Sequence, residues 1–147
     1  MTQTLFTIGF TRSTAEHFFG RLERAGVRLV ADTRLEQHSQ LAGFAKQPNL
    51  AFFLDRVAGI ACRDEPLLAP DEAAFRAYRA GALLWDDYAA AYLRALQERR
   101  VAERLDPAAF ASACLLCSEA EPHHCHRRLA AEHLTAVWSG VWRVVHL

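Results

Sequence analysis

Apolar residues gather in five short runs, and the stretches between them carry helical spacing or turn residues. Thr4 to Phe10 is the first run, ending at Gly9 and a polar turn. Thr14 then offers a side-chain cap, and Phe18, Phe19, Leu22 and Ala25 repeat at helical intervals up to Gly26. A glycine at that place ends a helix in the left-handed conformation. Val27 to Ala31 is the second run and stops at Asp32-Thr33-Arg34. Strand, helix and strand thus fit within one βαβ unit.

Leu35 to Asn49 is polar and irregular. Leu50 to Val57 predicts a short helix closed by Gly59, and Ile60 to Arg63 a short strand. Pro66 and Pro70 predict an extended loop. Asp71 to about Leu105 predicts helix with a break near Gly81. Its aromatic residues Phe75, Tyr78, Trp85, Tyr88 and Tyr92 fall mainly three, four and seven apart, the spacing of a core-facing stripe. Ala111 to Cys117 is the fourth run. Pro122 is expected to open a helix from about His124 to Trp138, ended by Gly140, and Val141 to Leu147 forms the last strand. The alternation predicts a single α/β domain over residues 1–147. Its sheet is mostly parallel with helices on both faces, a Rossmann-like three-layer arrangement.

Composition narrows the function classes. The chain has 147 residues, and 52% are hydrophobic, enough for a substantial core. Formal net charge is zero, with 17 basic and 17 acidic residues, which argues against a protein that coats nucleic acid. A basic face would still admit a nucleic-acid binding module. No apolar run is long enough to cross a membrane. The start Met1-Thr2-Gln3-Thr4 lacks the pattern of a secretory signal, so the expected compartment is the cytoplasm. In that compartment Cys62, Cys114, Cys117 and Cys125 are expected to be thiols or ligands rather than a disulfide framework.

An open α/β sheet binds ligands outside the carboxyl ends of its strands. Here those ends are Gly9-Phe10-Thr11-Arg12, Asp32-Thr33-Arg34 and Cys117-Ser118-Glu119. The densest chemistry follows the last of these, in Glu121-Pro122-His123-His124-Cys125-His126-Arg127. Cys114 and Cys117 lie three apart on a strand and so face opposite ways, which argues against a four-ligand zinc site. Cys114 reads as a core residue. A smaller zinc or iron site could use Cys117, Cys125 and His126, with Glu119 on the same strand face as Cys117. A reactive thiolate is the other reading: Cys125 in the first turn of a helix, beside His126, Arg127 and Arg128, or Cys117 at the strand end. Asp32 is a candidate acid or base, or an ion-pair partner of Arg34. His17 reads as a surface residue, and His146 as paired with a backbone carbonyl.

Taken together, several segments resemble the DUF488 family, a domain of unknown function. They are Thr7-Ile8-Gly9-Phe10-Thr11, Asp32-Thr33-Arg34, Ser39-Gln40-Leu41-Ala42-Gly43-Phe44, Glu65-Pro66-Leu67-Leu68-Ala69-Pro70 and Trp85-Asp86-Asp87-Tyr88. Cys114 to Glu119 and Cys125 to Arg128 complete the pattern. The resemblance implies an α/β fold and no settled activity. It also implies recurring polar positions at Gly9, Thr11, Asp32, Arg34, Ser39, Cys117, Glu119, Cys125, His126 and Arg127. Two departures stand out. Gln40 occupies a place where many members carry Arg, and Ala61-Cys62-Arg63-Asp64 replaces a segment with an aromatic residue and a His.

These readings converge on an enzyme for a small anionic or nucleotide-like ligand. Arg34 and Arg127 would bind the anion, with Gly9, Thr11 and Ser39 as further binding positions. Asp32, Cys117, Glu119, Cys125 and His126 would supply the chemistry. The alternatives are a zinc- or iron-dependent enzyme or sensor and a non-catalytic binding module.

Overall fold

The computed structural model describes residues 1–38 and 42–147. Five strands form one sheet: β1 (Thr2–Gly9), β2 (Leu29–Asp32), β3 (Ala61–Asp64), β4 (Ala113–Cys117) and β5 (Val141–His146). Their order across the sheet is β3-β2-β4-β1-β5, and every pairing is parallel. Among the described residues the α-helices are α1 (Ala15–Ala25), α2 (Asn49–Phe53), α3 (Glu72–Arg79), α4 (Trp85–Glu98), α5 (Val101–Arg104), α6 (Pro107–Phe110) and α7 (His126–Val137). The expected three-layer α/β architecture is present, with a sheet that is wholly parallel.

Side chains alternate along β4 and divide the core in two. Cys114 and Leu116 pack with Ile8, Val30, Phe18 and Leu22 under α1 and α2. Ala113 and Leu115 pack with Leu5, Tyr92, Leu96, Leu129 and Leu134 under α4 and α7. Cys114 is fully buried among apolar neighbours, as its place on the strand predicts. Helix α1 is bounded as expected: the Thr14 side chain accepts from the His17 N–H, and Gly26 is left-handed at φ 74°.

Three expectations need correction. The 71–105 region breaks twice, first at Gly81 and again where Arg100 turns left-handed at φ 55°. The aromatic stripe also divides. Tyr88 and Tyr92 are buried, whereas Phe75 and Tyr78 are half-buried because α3 lies outside the core, and Trp85, at the start of α4, is half-buried at the core's margin. Pro122 does not open a helix. Its fixed φ serves a turn, in which the Cys125 N–H donates to the Pro122 carbonyl at 3.3 Å. Helix α7 starts at His126, with extended Cys125 as its N-cap.

Strand order locates a crevice. From β2 the chain crosses by α2 to β3, toward one edge. From β4 it crosses by α7 to β5, toward the other edge. β2 and β4 are neighbours whose connections leave in opposite directions and on opposite faces. That is a topological switch point, where the loops part and a ligand can enter. Register sets the strand ends level, with Asp32 opposite Leu116 and Gly9 opposite Cys117.

Gly9 permits this closeness. A side-chain carbon there would overlap the Glu119 carbonyl and crowd the Arg127 guanidinium. We expect Gly9→Ala to lower stability by about 2 kcal/mol or more, as overpacking against backbone does. Urea unfolding at neutral pH measures it, and a change within about 0.5 kcal/mol would mean that the 118–120 loop shifts freely.

Candidate functional site

A cavity of about 550 Å³ opens at the crevice. Its floor is made by Arg34, Cys117, Ser118, Glu119, Cys125 and His126, and its roof by Phe75, Arg76 and Arg79 of α3. The polar strand ends therefore meet at one edge, as expected. A second cavity of about 500 Å³ lies across the Arg34–Glu36 segment.

Asp32 and Arg34 form a closed unit. Asp32 is 1% exposed. Its Oδ1 accepts from Arg34 Nε at 2.8 Å and from the Arg34 backbone N–H at 3.2 Å. Its Oδ2 accepts from Arg34 Nη2 at 2.7 Å and Gln47 Nε2 at 3.1 Å. Four donors occupy the carboxylate, and Asp32 is not among the residues lining either cavity. The Arg34 side chain is 4% exposed, and its guanidinium lies 5.2 Å from the Phe10 ring centre. Its remaining nitrogen, Nη1, is buried and has no hydrogen-bond partner among the described residues. A bidentate fork held this way presents its charge in a fixed direction.

The sulfurs of Cys117 and Cys125 are in contact across eight residues of chain. Their Cα atoms stand 7.7 Å apart, wider than the roughly 4.4–6.8 Å of ordinary disulfides. Two of the four cysteines, expected as thiols or ligands, are thus brought into sulfur–sulfur contact, at a backbone separation outside the ordinary disulfide range. The other two thiols differ. Burial pushes Cys62 and Cys114 up from the usual thiol range, so both stay protonated at neutral pH.

His126 is 7% exposed, and its protonation can be read from its partners. Nε2 lies 3.1 Å from the Thr33 carbonyl and 2.9 Å from Thr33 Oγ1. The hydroxyl already donates its own proton to the Leu116 carbonyl at 2.8 Å. Both oxygens therefore accept, and Nε2 must carry the proton. Nδ1 is left with its lone pair, 4.0 Å from Cys125 Sγ. Burial lowers the His126 pKa to about 4, so the ring is neutral at pH 7.

Arg127 departs from the expected role. It is fully buried and does not line the cavity. Its Nη1 donates to Cys117 Sγ at 3.0 Å and to the Glu119 carbonyl, its Nε to Thr7 Oγ1 at 3.2 Å, and its Nη2 to the Ala120 carbonyl at 3.4 Å. Desolvation lowers its pKa to about 10, which leaves it charged at neutral pH. Thr11 also serves the loop: its hydroxyl and its N–H both donate to the Ser118 carbonyl, the latter at 3.1 Å. Gly9, Thr11 and Arg127 thus hold the 118–120 backbone in place. Ser39 lies outside the described residues. Glu119 sits in the loop beyond β4 rather than on its strand face, half-exposed and 3.9 Å from Arg79.

Sequence reasoning missed Thr33, Gln47, Phe75, Arg76 and Arg79. Thr33 carries no chemistry of its own, and Gln47 lies in a stretch without periodicity. The three α3 residues resemble any solvated amphipathic helix. His146 also differs from expectation: its Nδ1 meets the Thr7 hydroxyl at 2.6 Å rather than a backbone carbonyl. Among the described residues, no three or more His, Cys, Asp and Glu side chains are grouped to hold a metal ion. The zinc or iron reading of Cys117, Cys125 and His126 therefore has no ligand cluster behind it.

The model of the domain of unknown function DUF488 matches residues 14–134. The chain belongs to the DUF488 family. No curated protein and no solved structure matches it. The DUF488 match spans α1 through most of α7 and so includes every cavity-lining residue named above. Among the described residues, no helix is long and apolar enough to cross a membrane.

The buried neutral His126 makes stability depend on pH. Its folded pKa lies below the unfolded value near 6.5. Its contribution is therefore complete above pH 6.5 and is lost as pH falls toward 4, by at most about 3 kcal/mol. Urea unfolding at pH 7 and pH 4.5 should show a larger acid loss in the wild type than in His126→Gln. Equal losses would mean that the ring is not held neutral.

Proposed function

We propose that this DUF488 protein is a thiol-dependent enzyme acting on a small anionic substrate. One observation carries the reading: a buried guanidinium and a pair of facing sulfurs share one wall of a cavity of ligand size. Arg34, oriented by Asp32, binds the anion. The α7 N-terminus beside it adds backbone N–H groups and the positive end of a helix dipole.

Cys117 is the nucleophile in this reading. The Arg127 guanidinium at 3.0 Å favours its thiolate over its thiol. Cys125 is the partner thiol, and the His126 Nδ1 lone pair faces it as a hydrogen-bond acceptor. Glu119, at the cavity mouth, is placed for proton exchange with solvent. Gly9 and Thr11 hold the loop that carries it.

The test compares alkylation of the reduced protein by iodoacetate and by iodoacetamide at pH 7, with labelled residues identified by mass spectrometry. In each case a carbon–sulfur bond forms and iodide leaves, so the reagents differ only in charge. We expect labelling at Cys117 or Cys125 ahead of Cys62 and Cys114. Iodoacetate should be favoured by about tenfold relative to the same ratio in urea, one anion contact's worth of binding. Inorganic phosphate should suppress that preference. Labelling led by Cys62, or no advantage for the anionic reagent, would overturn the reading. Phosphate competition is the better control than Arg34→Gln, which strands the buried Asp32 carboxylate and risks unfolding.

A further inference from the structure

Helix α3 differs from every other element that borders the cavity. It has eight residues and none is buried. It rests chiefly on α4, through Tyr78 stacked on Tyr88 with ring centres 4.8 Å apart. It is bounded by Pro70 on one side and by Gly81, left-handed at φ 78°, on the other. Yet Phe75, Arg76, Arg79 and the following Ala80 line the cavity.

Among the described residues, two long ion pairs tie α3 across the cavity. Arg76 Nη2 lies 3.9 Å from Glu36, and Arg79 Nη1 lies 3.9 Å from Glu119. All four side chains are more than half exposed. Such pairs contribute little, and their partners are easily exchanged. Arg76 is also paired within α3, where Glu72 Oε1 accepts from its Nε at 3.1 Å and its Nη2 at 2.9 Å, a solvent-exposed i,i+4 pair. Each arginine therefore faces the cavity while its carboxylate partners are exposed and open to displacement by a stronger anion. Guanidinium groups pair with phosphate-like oxyanions through two parallel hydrogen bonds, as with carboxylates, and a phosphate dianion brings more charge and a third oxygen for a second arginine.

We propose that α3 is an arginine-bearing lid: Arg76 and Arg79 leave Glu36 and Glu119 to bind a tetrahedral oxyanion held on Arg34, drawing the helix down over the sulfur pair. The ligand class is then a phosphate-like dianion or its monoester. Glu36 and Glu119 are competitors that keep the site open until that ligand arrives. This proposal rests on the anion-binding reading above and adds the residues that close the site.

The probe is inorganic phosphate, tested on the full-length reduced protein by calorimetry and by limited trypsin digestion, with chloride at matched ionic strength as the reference. Trypsin cuts after arginine, so the bonds following Arg76 and Arg79 report whether α3 is open. Phosphate is expected to slow both cuts. The doubly substituted Arg76→Gln/Arg79→Gln protein should bind phosphate at least about tenfold more weakly, one charged hydrogen bond's worth or more. Glu36→Gln should bind it more tightly, since the carboxylate that ties Arg76 across the cavity is gone and only Glu72 of its own helix still competes. These are exposed positions, so the variants are expected to fold. Undiminished binding by the double variant, weaker binding by Glu36→Gln, or phosphate binding without protection of α3 would each overturn the lid. If iodoacetate is still preferred at the sulfur pair, only the lid falls. If phosphate does not bind and iodoacetate shows no advantage, the anion site falls with it.

Discussion

One buried arginine holds this structure's working end together. Arg127 reaches from α7 to Thr7 on β1, to Cys117 at the end of β4, and to the carbonyls of Glu119 and Ala120 beyond it. A guanidinium removed from water must have its donors satisfied, and here a hydroxyl, two carbonyls and a sulfur accept from it. No carboxylate hydrogen-bonds to it among the described residues. Its charge is therefore solvated by dipoles and left without a formal counter-ion. The acceptor best able to become one is the Cys117 sulfur. The same side chain that fixes the loop thus favours an anion at the position where the proposed chemistry needs it.

The site has two layers with different duties. Gly9, Thr11, Thr33, Asp32 and Arg127 do not line the main cavity, and each fixes something that does. Gly9 and Thr11 seat the 118–120 backbone, Thr33 sets the His126 tautomer, and Asp32 aims Arg34. This is how a site stays ordered before its ligand arrives: the supporting hydrogen bonds are made by groups the ligand never touches. Helix α3 is the opposite case, exposed, loosely paired and in direct view of the cavity.

The parts legible in the sequence were those with local causes. Short apolar runs marked the strands and a period-3.6 pattern marked α1, with Thr14 and Gly26 at its ends. Convergence of the strand ends followed from the parallel α/β architecture. Strand order did not, because β4 enters between β2 and β1 only after more than a hundred residues, and no local signal records that. Polarity alone also left the two readings of Asp32 undivided and turned Arg127 toward a ligand instead of the backbone. A charged residue near a strand end or helix start looks the same whether it faces a ligand or a carbonyl. The reverse error hid Phe75, Arg76 and Arg79: on α3, residues facing the cavity follow the same spacing as residues facing a core.

β4 is buried along its whole length, with Ala113, Cys114, Leu115, Leu116 and Cys117 all apolar or nearly so. Slipping such a strand by one residue exchanges its faces, yet hydrophobic side chains would still occupy both sides of the sheet. Burial energy alone thus defends this register poorly, and the slip would turn Cys117 away from α7. What discriminates between the two alignments lies outside the strand. Gly9 accepts the Glu119 carbonyl at only one offset, and Arg127 finds its acceptors at the same one. The groups that organise the sulfur pair are thereby also the ones that tell the sheet where to stop sliding.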